Sequence, residues 1–181
     1  MKEFDQYSDD LLEQSKRFLE IAKRYTDQEA INAYLNAALL ISISSLEASV
    51  NSLIDDFSKS ENFSLLEKSF LNEKELDFKN GVFILSNRLK MSRLTERIEL
   101  LIRKFSTNLK YKQETWWSLL CSGILLRNEI VHPKKDKLLK VEDVERTILS
   151  VIQCINFLFQ IIYKKKLPSA QMELQSRMNF N

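Results

Sequence analysis

The stretch TDQEAINAYLNAALLISISSLEASVNSLIDDF, Thr26 to Phe57, decides the fold because it contains neither glycine nor proline and holds a helical pattern throughout. Thr26-Asp27-Gln28-Glu29 has the form of a capping box, in which hydroxyl and carboxylate reciprocally satisfy free backbone N–H groups at a helix start. One helix is therefore predicted from there to about Phe57. Its apolar residues cover a wide arc, which places it at the centre of a core. Ile31–Ile54 is long enough to cross a bilayer. It is interrupted by Asn36, Ser42, Ser44, Ser45, Glu47 and Asn51, and reads as a core helix of a soluble bundle.

The rest of the chain agrees with that reading. Its 181 residues suit one domain with a single substantial core. Two glycines and two prolines, against 44% apolar and 29% charged residues, argue for long helices with few interruptions. Gly81 and Gly123 alone cannot build a glycine-rich phosphate loop, so P-loop and dinucleotide fingerprints are absent. A net charge of +2 does not by itself imply a nucleic-acid partner. Cys121 and Cys154 lie in apolar runs without metal-ligand spacing and read as reduced core thiols. Met1–Asp5 shows no signal-peptide pattern, and a cytoplasmic location is expected.

Around the central helix, periodicity predicts a first helix over about Asp9–Arg24. Ser64-Leu65-Leu66-Glu67 forms a second capping box and opens a short helix fraying by Asn72. Glu73–Ser92 is mixed in character and is expected to be an irregular insertion with short helical pieces. A helix starting at Ser92 or Thr95 runs to Phe105, another spans about Gln113 to Val131 or His132, and a last one covers Val141–Lys166. The acidic start and Lys164–Lys166 end of the last suit the helix dipole. Its apolar run, Ile148–Tyr163, is shorter than a membrane span needs and carries Gln153, Asn156 and Gln160. The expected architecture is an all-α antiparallel bundle, one domain over 1–166 with its core in 26–166, followed by a loosely held polar tail over 167–181.

The chemistry concentrates in Arg127-Asn128-Glu129-Ile130-Val131-His132-Pro133. His132 is the only histidine. A residue before proline is disfavoured in the helical region, so His132 is expected at the helix end. Three readings compete. Glu129 and His132 have the Glu-x-x-His spacing of di-iron bundles, but the second such pair requires a second histidine, which the chain lacks. A structural reading has His132 satisfying terminal carbonyls and Arg127 pairing with an acid such as Glu47. In a catalytic reading, Asn128 and His132 share a helical face. The Arg127 fork suits phosphate oxygens, and an imidazole exchanges protons near neutrality. That combination suits phosphodiester cleavage without a metal, with Lys134, Lys135 and Lys137 offering an electropositive approach for RNA.

The same residues resemble the R-x(4–6)-H motif of HEPN domains (higher eukaryotes and prokaryotes nucleotide-binding), where a polar residue, often asparagine, follows the arginine. The resemblance covers roughly Thr26–Lys166 and includes Ala48 and Asn51 around Glu47. It implies a HEPN-like bundle and a metal-independent endoribonuclease without cofactors, in which the ribose 2′-hydroxyl attacks the adjacent phosphate at a composite site in a homodimer. It further implies that His132 is the general acid or base, that Arg127 binds the phosphate, that Asn128 positions one or both, and that Glu47 orients Arg127. The role implied is a toxin or antiviral defence effector, with a cognate antitoxin or regulatory protein among its partners. Some HEPN toxins carry a modifiable tyrosine two residues after the histidine, where this chain has Lys134. The family's inactive members leave a second expectation open: a non-catalytic helical adaptor binding a protein or nucleotide.

Three further features carry expectations. Trp116 and Trp117 point about 100° apart on a helix, so one is expected to face a partner subunit or the N-terminal helix. Gly123 is expected either to mark a close backbone approach, such as a dimer axis, or to be tolerated at some cost. Lys164–Lys166 reads as a helix end, with RNA contact as the alternative.

Overall fold

The computed structural model describes residues 3–57, 60–107, 109–134, 137–167 and 172–180. Among them are six α-helices: α1 (Glu3–Ala22), α2 (Gln28–Phe57), α3 (Leu65–Leu71), α4 (Leu94–Phe105), α5 (Thr115–Val131) and α6 (Val141–Tyr163). Strands β1 (Lys74–Lys79) and β2 (Val82–Leu89) sit between α3 and α4, and a 3₁₀ turn over Lys110–Gln113 precedes α5. The fold is all-α, with a single two-stranded sheet among the described residues.

Helix α2 is central, as its wide apolar arc predicts. Leu35, Leu39, Ile43, Leu46 and Val50 are fully buried, against Leu12 and Leu19 of α1, Ile98 and Leu101 of α4, Leu120 of α5 and Ile148 and Val151 of α6. Serines that interrupt its apolar run are also buried, and a hydroxyl inside a core must find an acceptor. Ser42 donates to the carbonyl of Leu39 at 2.8 Å and Ser45 to that of Ser8 at 2.7 Å, while Ser15 of α1 donates to Ala38 at 2.8 Å. The pairs 15/38 and 8/45 run in opposite directions along the chain, so α1 and α2 are antiparallel. Both α2 and α6 are long and apolar enough to cross a membrane by length and composition, and both supply the interior of the bundle.

The start of α2 differs from expectation. Asp27, not Thr26, is the cap: its carboxylate accepts from the Ala30 N–H at 2.9 Å, and its carbonyl takes the first helical bond from Ile31. Aspartate is as good a cap as threonine and lies one residue nearer the helix. At Ser64 the expected box forms, with Glu67 N–H to Ser64 Oγ at 3.2 Å and Ser64 N–H to Glu67 Oε2 at 2.7 Å.

The insertion is not irregular. It is an antiparallel hairpin pairing Phe78 with Phe83 and Lys79 with Val82. Asn80 (φ 51°) and Gly81 (φ 81°) both occupy the left-handed region, the requirement of a tight I′ turn that Asn-Gly meets. Glu73 fastens the base: its carbonyl accepts from Lys90 N–H at 2.8 Å and its carboxylate from Ser92 N–H at 3.0 Å.

Of the tail expected over 167–181, residues 168–171 and 181 lie outside the described residues, and 176–180 are held more firmly than expected. Ser176 N–H donates to Glu20, Arg177 N–H to Glu13, and the Arg177 guanidinium to Asp9. Phe180 stacks edge-on against Phe18, and its carbonyl accepts from Arg17 Nε at 2.6 Å. These contacts cover a buried ion pair in α1, where Lys16 Nζ lies 2.5 Å from Glu13 Oε1 with neither atom in an aligned hydrogen bond. Polar composition suggested looseness; the polar groups here are instead complements of acids on α1.

The two tryptophans differ in burial, as their angular separation predicts. Trp117 is buried against Tyr111, and Trp116 packs on Phe157 of α6. Gly123 does mark a close approach, but to α6 of the same chain: a Cβ there would lie 2.7 Å from Thr147 Oγ1. Helix α6 ends at Lys164 (φ 59°), whose ammonium caps the Ile161 carbonyl at 2.8 Å.

Candidate functional site

Helix α5 ends where Pro133 requires. His132 is its C-cap, with φ −125° and ψ 66°, and its N–H bonds the Asn128 carbonyl at 2.9 Å. Its side chain and those of Asn128 and Lys134 are solvent-accessible. Arg127, one step round from Asn128, is half-buried and turned toward α2, where its Nη2 donates to Glu47 Oε1. Thus the ion pair anticipated between Arg127 and Glu47 is present. A guanidinium carries five N–H donors, and among the described residues its hydrogen bond to Glu47 uses one Nη. The carboxylate fixes the orientation of a planar fork whose remaining edge can meet a phosphate.

Not every predicted contributor is placed as an open cation. Lys137 is engaged by Glu129 in an ion pair, so its charge is compensated and it does not form part of a free basic approach. The reason is local: Lys137 returns to the last turns of α5, and Glu129 is the exposed acid there. The same pairing takes Glu129 away from any role beside His132. Lys135 lies outside the described residues. Among the described residues, no group of three or more His, Cys, Asp or Glu side chains gathers as metal ligands would. Both cysteines are free thiols, and burial pushes their pKa values up, Cys154 the further.

One contributor escaped the sequence reading. Arg97 of α4, 5% exposed, points at the same face of α2. Its Nη2 donates to Asn51 Oδ1 at 2.5 Å, its Nη1 to Glu73 Oε2 at 3.2 Å, and its Nε to the Leu71 carbonyl at 3.1 Å. Burial lowers its pKa, opposed by the charges of Glu73 and Glu47. Asn51 is one helical turn from Glu47, so two arginines from different helices bracket one polar strip of α2. The signal in the sequence was the pair Glu47 and Asn51, two polar residues four apart in an apolar helix, which require partners when packed.

Beside the motif, a groove of about 400 Å³ runs between α5 and α6, lined in part by Leu119, Leu126, Glu129, Lys137 and Arg146. Helix α5 is apolar around much of its circumference, yet Leu125 is 63% and Val131 45% exposed. The site is therefore an open surface. Arg127 is held from below, Asn128 and His132 stand outward, and uncovered aliphatic side chains border them. No protein-family model matches the chain, and neither a curated protein nor a solved structure matches it.

Proposed function

We propose that this chain is a metal-independent endoribonuclease of the HEPN type, acting on RNA as a homodimer in the cytoplasm. The observation that carries the reading is the ion pair of Arg127 with Glu47, which holds the guanidinium on the helix end bearing Asn128 and His132. In the proposed reaction the ribose 2′-oxygen attacks the neighbouring phosphorus. His132 takes the 2′-hydroxyl proton, and the bond from phosphorus to the 5′-oxygen breaks as that oxygen is protonated. Arg127 stabilises charge on the non-bridging oxygens, and the products are a 2′,3′-cyclic phosphate and a 5′-hydroxyl. One chain supplies one imidazole. If both acid and base are imidazoles, the second is His132 of a second copy, and the uncovered Leu125 and Val131 suit such an interface. A toxin or antiviral effector controlled by a cognate protein is the biological role that accords with this chemistry.

The test is incubation of purified protein with structured RNA in excess EDTA, beside His132→Ala and Arg127→Ala. Cleavage that survives chelation and disappears in both variants supports the proposal. Intact RNA at high protein concentration, or full activity of His132→Ala, overturns it. A monomer in sedimentation at micromolar concentration overturns the composite site.

A second reading, a non-catalytic adaptor for a protein partner, is favoured by one observation: Arg127 is already neutralised by Glu47. It predicts that RNA stays intact while the α5 surface still binds its partner.

A further inference from the structure

The hairpin takes no part in the proposed reaction, yet it is the most unusual surface of the molecule. It packs mainly against α3. Phe78 and Phe83, paired across the strands, remain 65% and 61% exposed with ring centroids 5.0 Å apart. A folded chain does not gain stability by holding two large rings in water, so an exposed aromatic pair marks a contact surface.

The charge of the segment narrows the occupant. Residues 74–93 contain five Lys or Arg and two Asp or Glu, a net +3, whereas the rest of the chain sums to −1. Both acids are neutralised internally, since Arg88 bridges Glu75 and Asp77. Lys79, Lys90 and Arg93 of this segment are solvent-exposed; Lys79 lies 3.6 Å from Asp77 and Arg93 3.9 Å from Glu96, exposed pairs weak enough for a phosphate to replace. Paired π-faces beside cations in excess of the local acids are what a single-stranded polynucleotide requires: bases stack on the rings and phosphates meet the charges, with little dependence on base identity. A purely apolar protein partner would make no use of the segment's net positive charge.

We propose that the hairpin is a docking platform for single-stranded RNA, with Phe78 and Phe83 stacking on bases and Lys79, Lys90 and Arg93 contacting the backbone. The choice of RNA as the polymer rests on the ribonuclease reading. The platform is linked to the candidate site through side chains. Glu73 at the hairpin base binds Arg97, Arg97 binds Asn51, and Asn51 is one turn from the Glu47 that holds Arg127.

The test is fluorescence anisotropy of the full chain with a labelled single-stranded 2′-O-methyl oligonucleotide, which resists cleavage because its 2′-hydroxyls are blocked. The parent binds; Phe78→Ala with Phe83→Ala weakens binding roughly tenfold or more. Replacement of both by Trp retains binding. Lys79→Ala with Lys90→Ala flattens the slope of log affinity against log salt, by about 0.7 for each phosphate no longer neutralised. Leu66→Ala, an exposed apolar change on α3, leaves binding unchanged. Absence of binding by the parent, or parental affinity in the double alanine variant, overturns the proposal. So does a double alanine variant that keeps its affinity but no longer self-associates, which would assign the rings to a protein contact. Hairpin-dependent binding without cleavage of unmodified RNA would sink the ribonuclease reading alone, and cleavage with hairpin-independent binding would sink this inference alone.

Discussion

Arg127 on α5 and Glu47 on α2, eighty residues apart in the chain, form an ion pair in which both partners stay partly solvated, at 25% and 40% side-chain exposure. Water screens such a pair, so it orients more than it stabilises. Glu47→Gln should cost no more than about 1 kcal/mol in urea denaturation while lowering RNA cleavage much more steeply. A loss of several kcal/mol would make the pair a structural strut and remove its claim to a positioning role.

Gly123 and Thr147 lock α5 against α6. Adding a methyl at Gly123 forces the helices apart, since it would lie 2.7 Å from Thr147 Oγ1 and 3.0 Å from Cβ. Gly123→Ala should destabilise the fold by about 1–3 kcal/mol, as overpacking does. Gly123→Ala with Thr147→Ala should recover part of that loss. A double-mutant cycle showing simple additivity would mean the two residues do not meet.

Glu67 gives the stability a pH dependence. Its carboxyl is held below the ordinary value of 4.5, first by the hydrogen bond from Lys104 and then by the Ser64 backbone. A carboxylate with a lowered folded pKa contributes its full stabilisation above the unfolded value and loses it as pH falls through the folded one. Melting temperature should therefore fall as the medium is acidified below 4.5, and Glu67→Gln should be less stable at neutral pH with a shallower acid decline. Parallel pH profiles for parent and variant would contradict the assignment.

Removing residues 176–181 should uncover the Glu13–Lys16 pair and delete the hydrogen bonds of Ser176 and Arg177. At about 1 kcal/mol per hydrogen bond, the truncated chain should lose at least about 2 kcal/mol in denaturant midpoint measurements. Unchanged stability would show that the segment merely rests on α1.

The bundle was readable because its helices are long and periodic: α2, α5 and α6 follow from apolar spacing, from Pro133 and from acidic first turns. The hairpin was not, because Val82-Phe83-Ile84-Leu85 is a continuous apolar run that lacks the polar alternation of a half-buried strand. Asn80-Gly81 carried the missing signal, since that dipeptide tolerates two consecutive left-handed residues. At the candidate site, Arg127 with Glu47 could be anticipated from charge and helical position. Arg97 was missed because Asn51 signals the need for a partner without saying which, and Leu71 and Glu73, which also hold Arg97, meet it only through the tertiary fold. Lys137 failed for the opposite reason: a basic run reads as open charge until a neighbour such as Glu129 claims part of it.

The clasp between α1 and the final segment joins groups 156 to 168 residues apart in sequence. Contacts of such separation form after local ones, because closing a large loop costs entropy before any bond repays it. Folding should therefore end where the chain's two extremes meet, and opening should begin there. Amides over Ser176–Phe180 should exchange with solvent ahead of those in α2, making this seam a timekeeper for the bundle's assembly and release.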